Sequence, residues 1–254
     1  MAVLLSIILI VLSCVSCGAQ AEDVKTYGFK VEESLPHDVS SYTQGLFFCN
    51  GQLYESSGMY GESAFRKLDL KSGRTLKRIN YDKKFFAEGS CELDGKIFVL
   101  TWQEGICFVY DADSLKELGK VRYMGEGWGL ATDGKSLIMS DGSSRLTFRD
   151  PKDFSQQRTL DVTLRGKKVN YLNELEYING EIWANVYTTD LIVRIDPKTG
   201  FVRSVVNCTG LLPANLRSSR TDVLNGIACD RKGNIYVTGK YWPRMFRISL
   251  VEKK

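Results

Sequence analysis

The sequence predicts an all-β protein: a five-bladed β-propeller of four-stranded antiparallel blades, with the ring closed by an N-terminal strand. Three observations predict it. A two-strand unit recurs five times in nearly constant register, glycine outnumbers proline 23 to 5, and helical signals are scarce. Each copy opens on a marker pair, Gln44-Gly45, Glu88-Gly89, Trp128-Gly129, Asn173-Glu174 or Asn225-Gly226. A second apolar strand begins nine residues after the marker in four copies, at Leu53, Ile97, Leu137 and Ile182, and ten after it in the fifth, at Ile235.

The turns between those strands are Asn50-Gly51, Asp94-Gly95, Asp133-Gly134, Asn179-Gly180 and Lys232-Gly233-Asn234, the residues that tight hairpins need where φ is positive. A third strand ends near Asp69, Asp111, Asp150 and Asp196, and a fourth, outer strand follows, as at Thr75 to Ile79, Leu118 to Tyr123 and Val202 to Val206. The fifth copy reaches only its third strand before Lys254. Tyr27 to Val31 alternates, is otherwise unassigned, and supplies the missing outer strand, which leaves no blade with an unpaired inner edge. The stretch from Gly210 to Val223 is the one long insertion, with room for a helical turn or a lid.

Residues 1–21 are set apart as an export or lipoprotein signal, and 22–254 form the propeller. From Met1 to Ala21 no side chain is charged, and Val3 to Leu12 is apolar except for Ser6. Ala19-Gln20-Ala21 fits a small-x-small cleavage site, while the stretches ending at Cys14 and Cys17 both resemble a lipobox. The expected location is periplasmic or lipid-anchored at the cell envelope, with no membrane contact beyond that anchor. Composition supports one folded, monomeric unit, with 254 residues, 43% hydrophobic and 25% charged. The 34 basic and 30 acidic residues are interleaved, so no basic stripe suggests nucleic acid. Five cysteines follow the signal, Cys49, Cys91, Cys107, Cys208 and Cys229, an odd number without metal-type spacing, and they read as small buried hydrophobes. His37 is the only histidine, so a histidine-dependent nucleophile or zinc site would have to use it; its place before Asp38 reads as a surface or structural loop.

In a propeller the first strands line the channel, and their starts crowd one mouth. Gln44, Glu88, Trp128, Asn173 and Asn225 therefore meet in space. Five residues after each second-strand marker stand Gly58, Trp102, Gly142, Tyr187 and Lys240, and antiparallel pairing returns them to the same mouth. The mouth should hold one carboxylate, one lysine, three carboxamides and three large aromatics, a pocket with convergent polar groups and an apolar wall. Each has a plainer alternative: an ion pair for Glu88, packing between blades for the rings, snorkelling for Lys240, local backbone bonds for Asn173 and Asn225. Trp183 and Trp242 lack the register and are assigned to packing.

The runs Tyr42-Thr43-Gln44-Gly45, Leu100-Thr101-Trp102, Glu126-Gly127-Trp128-Gly129, Leu172-Asn173-Glu174-Leu175-Glu176, Trp183-Ala184-Asn185-Val186, Val223-Leu224-Asn225-Gly226-Ile227 and Val237-Thr238-Gly239-Lys240 resemble the plant-type glutaminyl cyclases over essentially the whole mature chain. The resemblance implies a metal-independent enzyme without a cofactor that converts the N-terminal glutamine of peptides or proteins to pyroglutamate and releases ammonia. It implies Glu88 as acid/base, with Lys240, Asn173 and Gln44 as its polar catalytic partners. Trp102, Trp128 and Tyr187 would wall the substrate, with Asn225 beside them; Tyr187 stands where that family often has a tryptophan.

The chemistry suits those residue types. The amine must lose a proton, the carbonyl oxygen must be stabilised as it becomes negative, and the leaving nitrogen must gain a proton; one carboxyl between the two nitrogens can serve both transfers. Indole walls would raise the pKa of Glu88 and Lys240 would lower it. Two rivals stand beside this reading, a calcium-dependent propeller hydrolase of the lactonase type and a non-catalytic peptide-binding propeller. The first needs several channel carboxylates, where only one sits beside a lysine. The second does not explain why Glu88 and Lys240 converge.

Overall fold

The computed structural model describes residues 24–253, so the signal segment expected over 1–21 lies outside the described residues. The described residues are all-β apart from one 3-10 turn at Ala214–Leu216, which sits inside the expected insertion. The first strand is β1 (Lys25–Pro36). Then come β2 (Thr43–Cys49), β3 (Gln52–Ser57), β4 (Ala64–Leu68) and β5 (Thr75–Asn80), which form one four-stranded antiparallel sheet in chain order. A second such sheet is β6 (Ala87–Leu93), β7 (Lys96–Thr101), β8 (Ile106–Asp111) and β9 (Glu117–Arg122). A third is β10 (Leu130–Thr132), β11 (Leu137–Met139), β12 (Arg145–Arg149) and β13 (Gln156–Asp161).

A small hairpin not foreseen from the repeat follows, β14 (Thr163–Leu164) and β15 (Lys167–Lys168), turned by Arg165-Gly166 with φ of 50° and 76°. The remaining strands are β16 (Leu172–Ile178), β17 (Glu181–Val186), β18 (Leu191–Ile195), β19 (Val202–Asn207), β20 (Leu224–Cys229), β21 (Ile235–Gly239) and β22 (Arg244–Glu252). The repeat predicts two separate four-stranded sheets here. Hydrogen bonding instead joins them into one eight-stranded sheet in the order β16-β17-β18-β19-β1-β22-β21-β20. The cause is β1. It pairs antiparallel with β22, Phe29 opposite Leu250, as the outer strand expected from Tyr27 to Val31, and its first residues also pair in parallel with β19, Thr26 opposite Val205.

The turn chemistry accounts for the hairpins. Asn50-Gly51, Asp94-Gly95 and Asn179-Gly180 all take positive φ at both residues, between 49° and 84°, matching the right-handed twist of the flanking strands. Outer strands β5, β9 and β13 are almost wholly exposed, whereas β19, covered by β1, alternates buried and open residues.

Five apolar clusters separate successive strand groups. Phe47 and Phe65 meet Ile97 and Phe108; Phe98 and Leu100 meet Leu130 and Leu137; Ile138 and Phe148 meet Leu175 and Ile182; Trp183 and Ile192 meet Ile227 and Phe246; Ala228 and Tyr236 meet Leu46 and Leu53. The innermost strands neighbour one another in a closed cycle, β2 to β6, β6 to β10, β10 to β16, β16 to β20 and β20 back to β2. Their approach is close enough that a Cβ on Gly89 would strike the backbone of Gly129 and Leu130, and one on Gly129 would strike the carbonyl of Asn173. Glu174 stands where the other four copies carry glycine. Its carboxyl spans the axis, accepting the Leu46 N–H at 3.2 Å and the Ile227 N–H at 2.8 Å, and burial holds its pKa well above the carboxylate range.

The cysteines behave as the sequence suggests: Cys49, Cys91, Cys107 and Cys208 are buried thiols, and Cys229 is half-buried. Trp183 and Trp242 both lie in the core. His37 is not a surface residue. It is buried, its Nε2 3.1 Å from Glu55 and its Nδ1 2.7 Å from the carbonyl oxygen of Trp242. Burial opposes charge on the ring, yet the Glu55 carboxylate outweighs it and raises the His37 pKa. Glu55 also accepts from Ser41, Thr43 and Arg66, and Arg66 reaches on to Asp38 at 2.6 Å. A lone histidine gives no sign of so buried a partner, because Glu55 lies on a strand buried on both faces from Leu53 to Ser57.

Candidate active site

The five marker residues start the inner strands, and the ends of β7, β17 and β21 return beside them. Of the predicted residues, Gln44, Glu88, Trp102, Trp128, Asn173, Tyr187 and Lys240 line one cavity of about 220 Å³, joined by Tyr42, Met59 and Phe86. The structure places Asn225 elsewhere. It is wholly buried behind Gln44, donating to the Thr43 carbonyl oxygen at 2.9 Å and to Gln44 Oε1 at 3.2 Å. Gln44 in turn donates from Nε2 to Glu88 Oε1 at 3.0 Å, so Asn225 orients the amide that meets the carboxyl. Gly58 and Gly142 keep the register but act by leaving room: a Cβ on Gly58 would enter the Phe86 ring, and one on Gly142 would enter the Trp128 indole.

The walls form a closed aromatic belt. Trp102 meets Phe86 with ring centroids 5.6 Å apart, Phe86 meets Tyr42 edge-on at 6.1 Å, and Tyr187 meets Trp128 edge-on at 5.6 Å. Between Tyr42 and Tyr187 stands Lys240, whose ammonium lies over both rings. Glu126 closes the belt. Its Oε2 accepts the Trp102 indole N–H at 2.8 Å and the Trp128 indole N–H at 2.9 Å, while Oε1 accepts Gln103 Nε2 at 3.2 Å. Although partial burial opposes it, these three donors keep the Glu126 pKa below the usual value.

Tyr42, Phe86 and Glu126 were not among the residues singled out by the repeat, yet a signal for them exists. Each stands two positions before a marker, and a period of two puts i and i−2 on the same face of an extended chain.

Charge inside the pocket is poised. Glu88 is buried, and desolvation drives its pKa well above 4.5; Lys240 pulls it down, while Glu126 and Glu104 push it up. Of the two opposed effects read from the sequence, the raising one wins. Lys240 is equally buried, and desolvation lowers its pKa to about 8 against the pull of Glu88 and Asp222. Its ammonium sits 4.2 Å from the Tyr42 ring centre and 4.8 Å from that of Tyr187. Asn173 Oδ1 is buried with no hydrogen-bond partner among the described residues, a polar atom left for something in the pocket. Among the described residues no group of three or more His, Cys, Asp or Glu is placed to hold a metal ion.

A buried carboxyl, a lysine, two carboxamides and an aromatic belt gather on one mouth. A family profile described as Glutamine cyclotransferase matches residues 4–250. The chain belongs to the glutamine cyclotransferase family. The chain is 42% identical over 229 residues to a glutaminyl-peptide cyclotransferase of Arabidopsis thaliana, covering 87% of this chain and 71% of that relative. Its fold matches the crystal structure of Myxococcus xanthus glutaminyl cyclase with a TM-score of 0.84 at 34% identity, over 91% of this chain and all of that one. In this cyclotransferase the belt and the buried Glu88 lie on the mouth that the repeat predicts.

Proposed function

We propose that the protein is a glutaminyl-peptide cyclotransferase, which closes the N-terminal glutamine of a peptide or protein into pyroglutamate and releases ammonia. The observation that carries this is Glu88: a buried carboxyl whose pKa burial raises, held by Gln44, beside a buried lysine and beneath a belt of rings. The relatives named for this activity support the same reading.

The pocket selects a folded-back glutamine whose amine already touches its own side-chain carbonyl, so the enzyme gains most from conformer selection. The neutral α-amine attacks the γ-carbonyl carbon, a C–N bond forms, and the carbonyl electron pair moves to oxygen. Lys240 and Gln44 stand where that oxyanion needs positive charge and a donor, a role worth roughly 3 kcal/mol per well-placed group. Glu88 gives its proton to the departing nitrogen, the old C–N bond breaks, and ammonia is freed. The resulting carboxylate takes the surplus proton from the new ring nitrogen and is restored. Asn173 Oδ1 accepts from a substrate N–H, and Trp102, Trp128 and Tyr187 hold the aliphatic chain and exclude water.

The same reading takes the fold as five four-stranded blades, the eight-stranded sheet being two blades fused through β1. The five clusters and the closed cycle of inner strands support that count. It also keeps 1–21 as an export segment. Neither rival is favoured: the second channel carboxyl, Glu174, is spent on two backbone N–H groups, and a mere binding cage has no use for a protonated carboxyl beside a lysine. Incubation with a glutamine-initiated dipeptide tests the activity: ammonia should appear with a product lighter by one ammonia, and an unchanged peptide would reject it.

A further inference from the structure

Beside the pocket, on the same mouth, lies a second and larger cavity of about 410 Å³ lined by Thr188, Thr189, Asp190, Arg217, Thr221 and Asp222. Its two sides come from the turn between β17 and β18 and from the insertion between β19 and β20. Both sides are continuous with the pocket. Tyr187, a pocket wall, directly precedes Thr188. Across the groove, Asp222 N–H donates to the Lys240 carbonyl oxygen at 3.0 Å, and Lys240 N–H donates to that of Val223 at 2.9 Å.

The insertion is fastened down. Leu211 and Leu212 are buried in the apolar cluster that also holds Trp242, and the Trp242 indole donates to the Asp222 carbonyl oxygen at 2.9 Å. Arg220 lies over the Tyr241 ring at 4.6 Å, and Tyr241 packs on Tyr42 of the belt at 5.2 Å.

We propose that this groove seats the residues that follow the cyclising glutamine, so the enzyme reads the peptide chain beyond its first residue. The inference rests on the cyclotransferase reading and deepens it. A glutamine folded into the pocket must send its carboxyl-side chain out through the mouth, and the groove is a polar surface that begins one residue from a pocket wall. Threonine hydroxyls donate and accept, aspartates accept and arginine donates, a mixture that suits successive peptide N–H and C=O groups. Because both charge signs line the groove, it favours peptide length over one type of second side chain.

The test is the ratio of kcat/KM for the tetrapeptide amide Gln-Ala-Ala-Ala to that for the dipeptide amide Gln-Ala. The ratio should be about 10 in the parent protein, carried mainly by KM, and should fall to about 1 to 3 in Arg217→Ala combined with Thr188→Val, with both proteins melting alike. Lys167→Ala, on the exposed β14–β15 hairpin and outside the lining of both cavities, should leave the ratio at its parent value. A parent ratio near 1, or a high ratio that survives the double substitution, overturns the groove while ammonia release from the dipeptide upholds the activity. No ammonia from either peptide rejects the activity and the groove with it.

Discussion

Gln44 donates its side-chain N–H to Glu88 at 3.0 Å, and this bond fixes which face of the buried carboxyl is open to the pocket. With its pKa raised by burial, Glu88 is suited to act as an acid first and a base second. Glu88→Gln keeps shape and neutrality but cannot pass a proton. Turnover should fall by about 100-fold to 10,000-fold, with substrate affinity and melting temperature nearly unchanged. An equally active Glu88→Gln protein would remove the proton shuttle from the mechanism.

Lys240 gives the pH dependence. Its pKa of about 8 means that its charge, and with it the help to the oxyanion, disappears as pH rises through that value. The substrate amine, with an ordinary pKa of about 7.7, must be neutral and so imposes the opposite limb. kcat/KM should therefore trace a narrow bell near pH 8. Acidifying the amine of the substrate should shift only the acid limb, and a profile flat to pH 10 would exclude Lys240 from that role.

Glu126 should matter through the two indoles that it joins. Glu126→Ala removes the acceptor for both, and KM should rise roughly tenfold, since a charge-assisted bond to each ring is worth about 1.5–3 kcal/mol and part of that loss is relieved by water. Glu126→Gln keeps one acceptor oxygen and should recover most of the affinity. If alanine and glutamine lose affinity equally, the charge on Glu126 matters and the orientation of the rings does not.

The His37–Glu55 pair predicts stability. His37 has its pKa raised in the folded state, so its contribution is complete below about pH 6.5 and is lost as pH climbs through the folded value. His37→Phe removes one partner of Glu55 and leaves Ser41, Thr43 and Arg66 in place, so it should cost about 1–3 kcal/mol, a fall in Tm of roughly 5 °C for a chain of this size. Thermal melts between pH 6 and pH 10 check both: the parent should lose stability toward high pH, and the variant should not show that loss.

Most of the fold was legible because its information is periodic. Marker, turn and strand recur in a register that survives without knowledge of contacts, and the register alone carried Gln44, Glu88, Trp102, Trp128, Asn173, Tyr187 and Lys240 to one mouth. Asn225 obeyed the register yet lies behind Gln44, since equivalent backbone positions do not fix how far a side chain reaches. The members of the His37–Glu55–Arg66 cluster were missed for a different reason. Each is held by partners from other turns or strands, and no spacing in the sequence encodes a contact made across the ring. The joining of two sheets through β1 escaped for the same reason, as strand identity does not reveal a second pairing edge.

That double pairing of β1 sets the order in which the molecule can be made. Tyr27 finds its antiparallel partner at Glu252 and Leu35 at Met245, more than two hundred residues later in the chain. A strand that emerges early must wait for β19 on one edge and for β22 on the other, and contacts of such long separation slow folding. Throughout that interval β1 can add itself to any other open sheet. The closing step thus waits for β22, and trimming into β1 or into β22 would leave the ring unlatched.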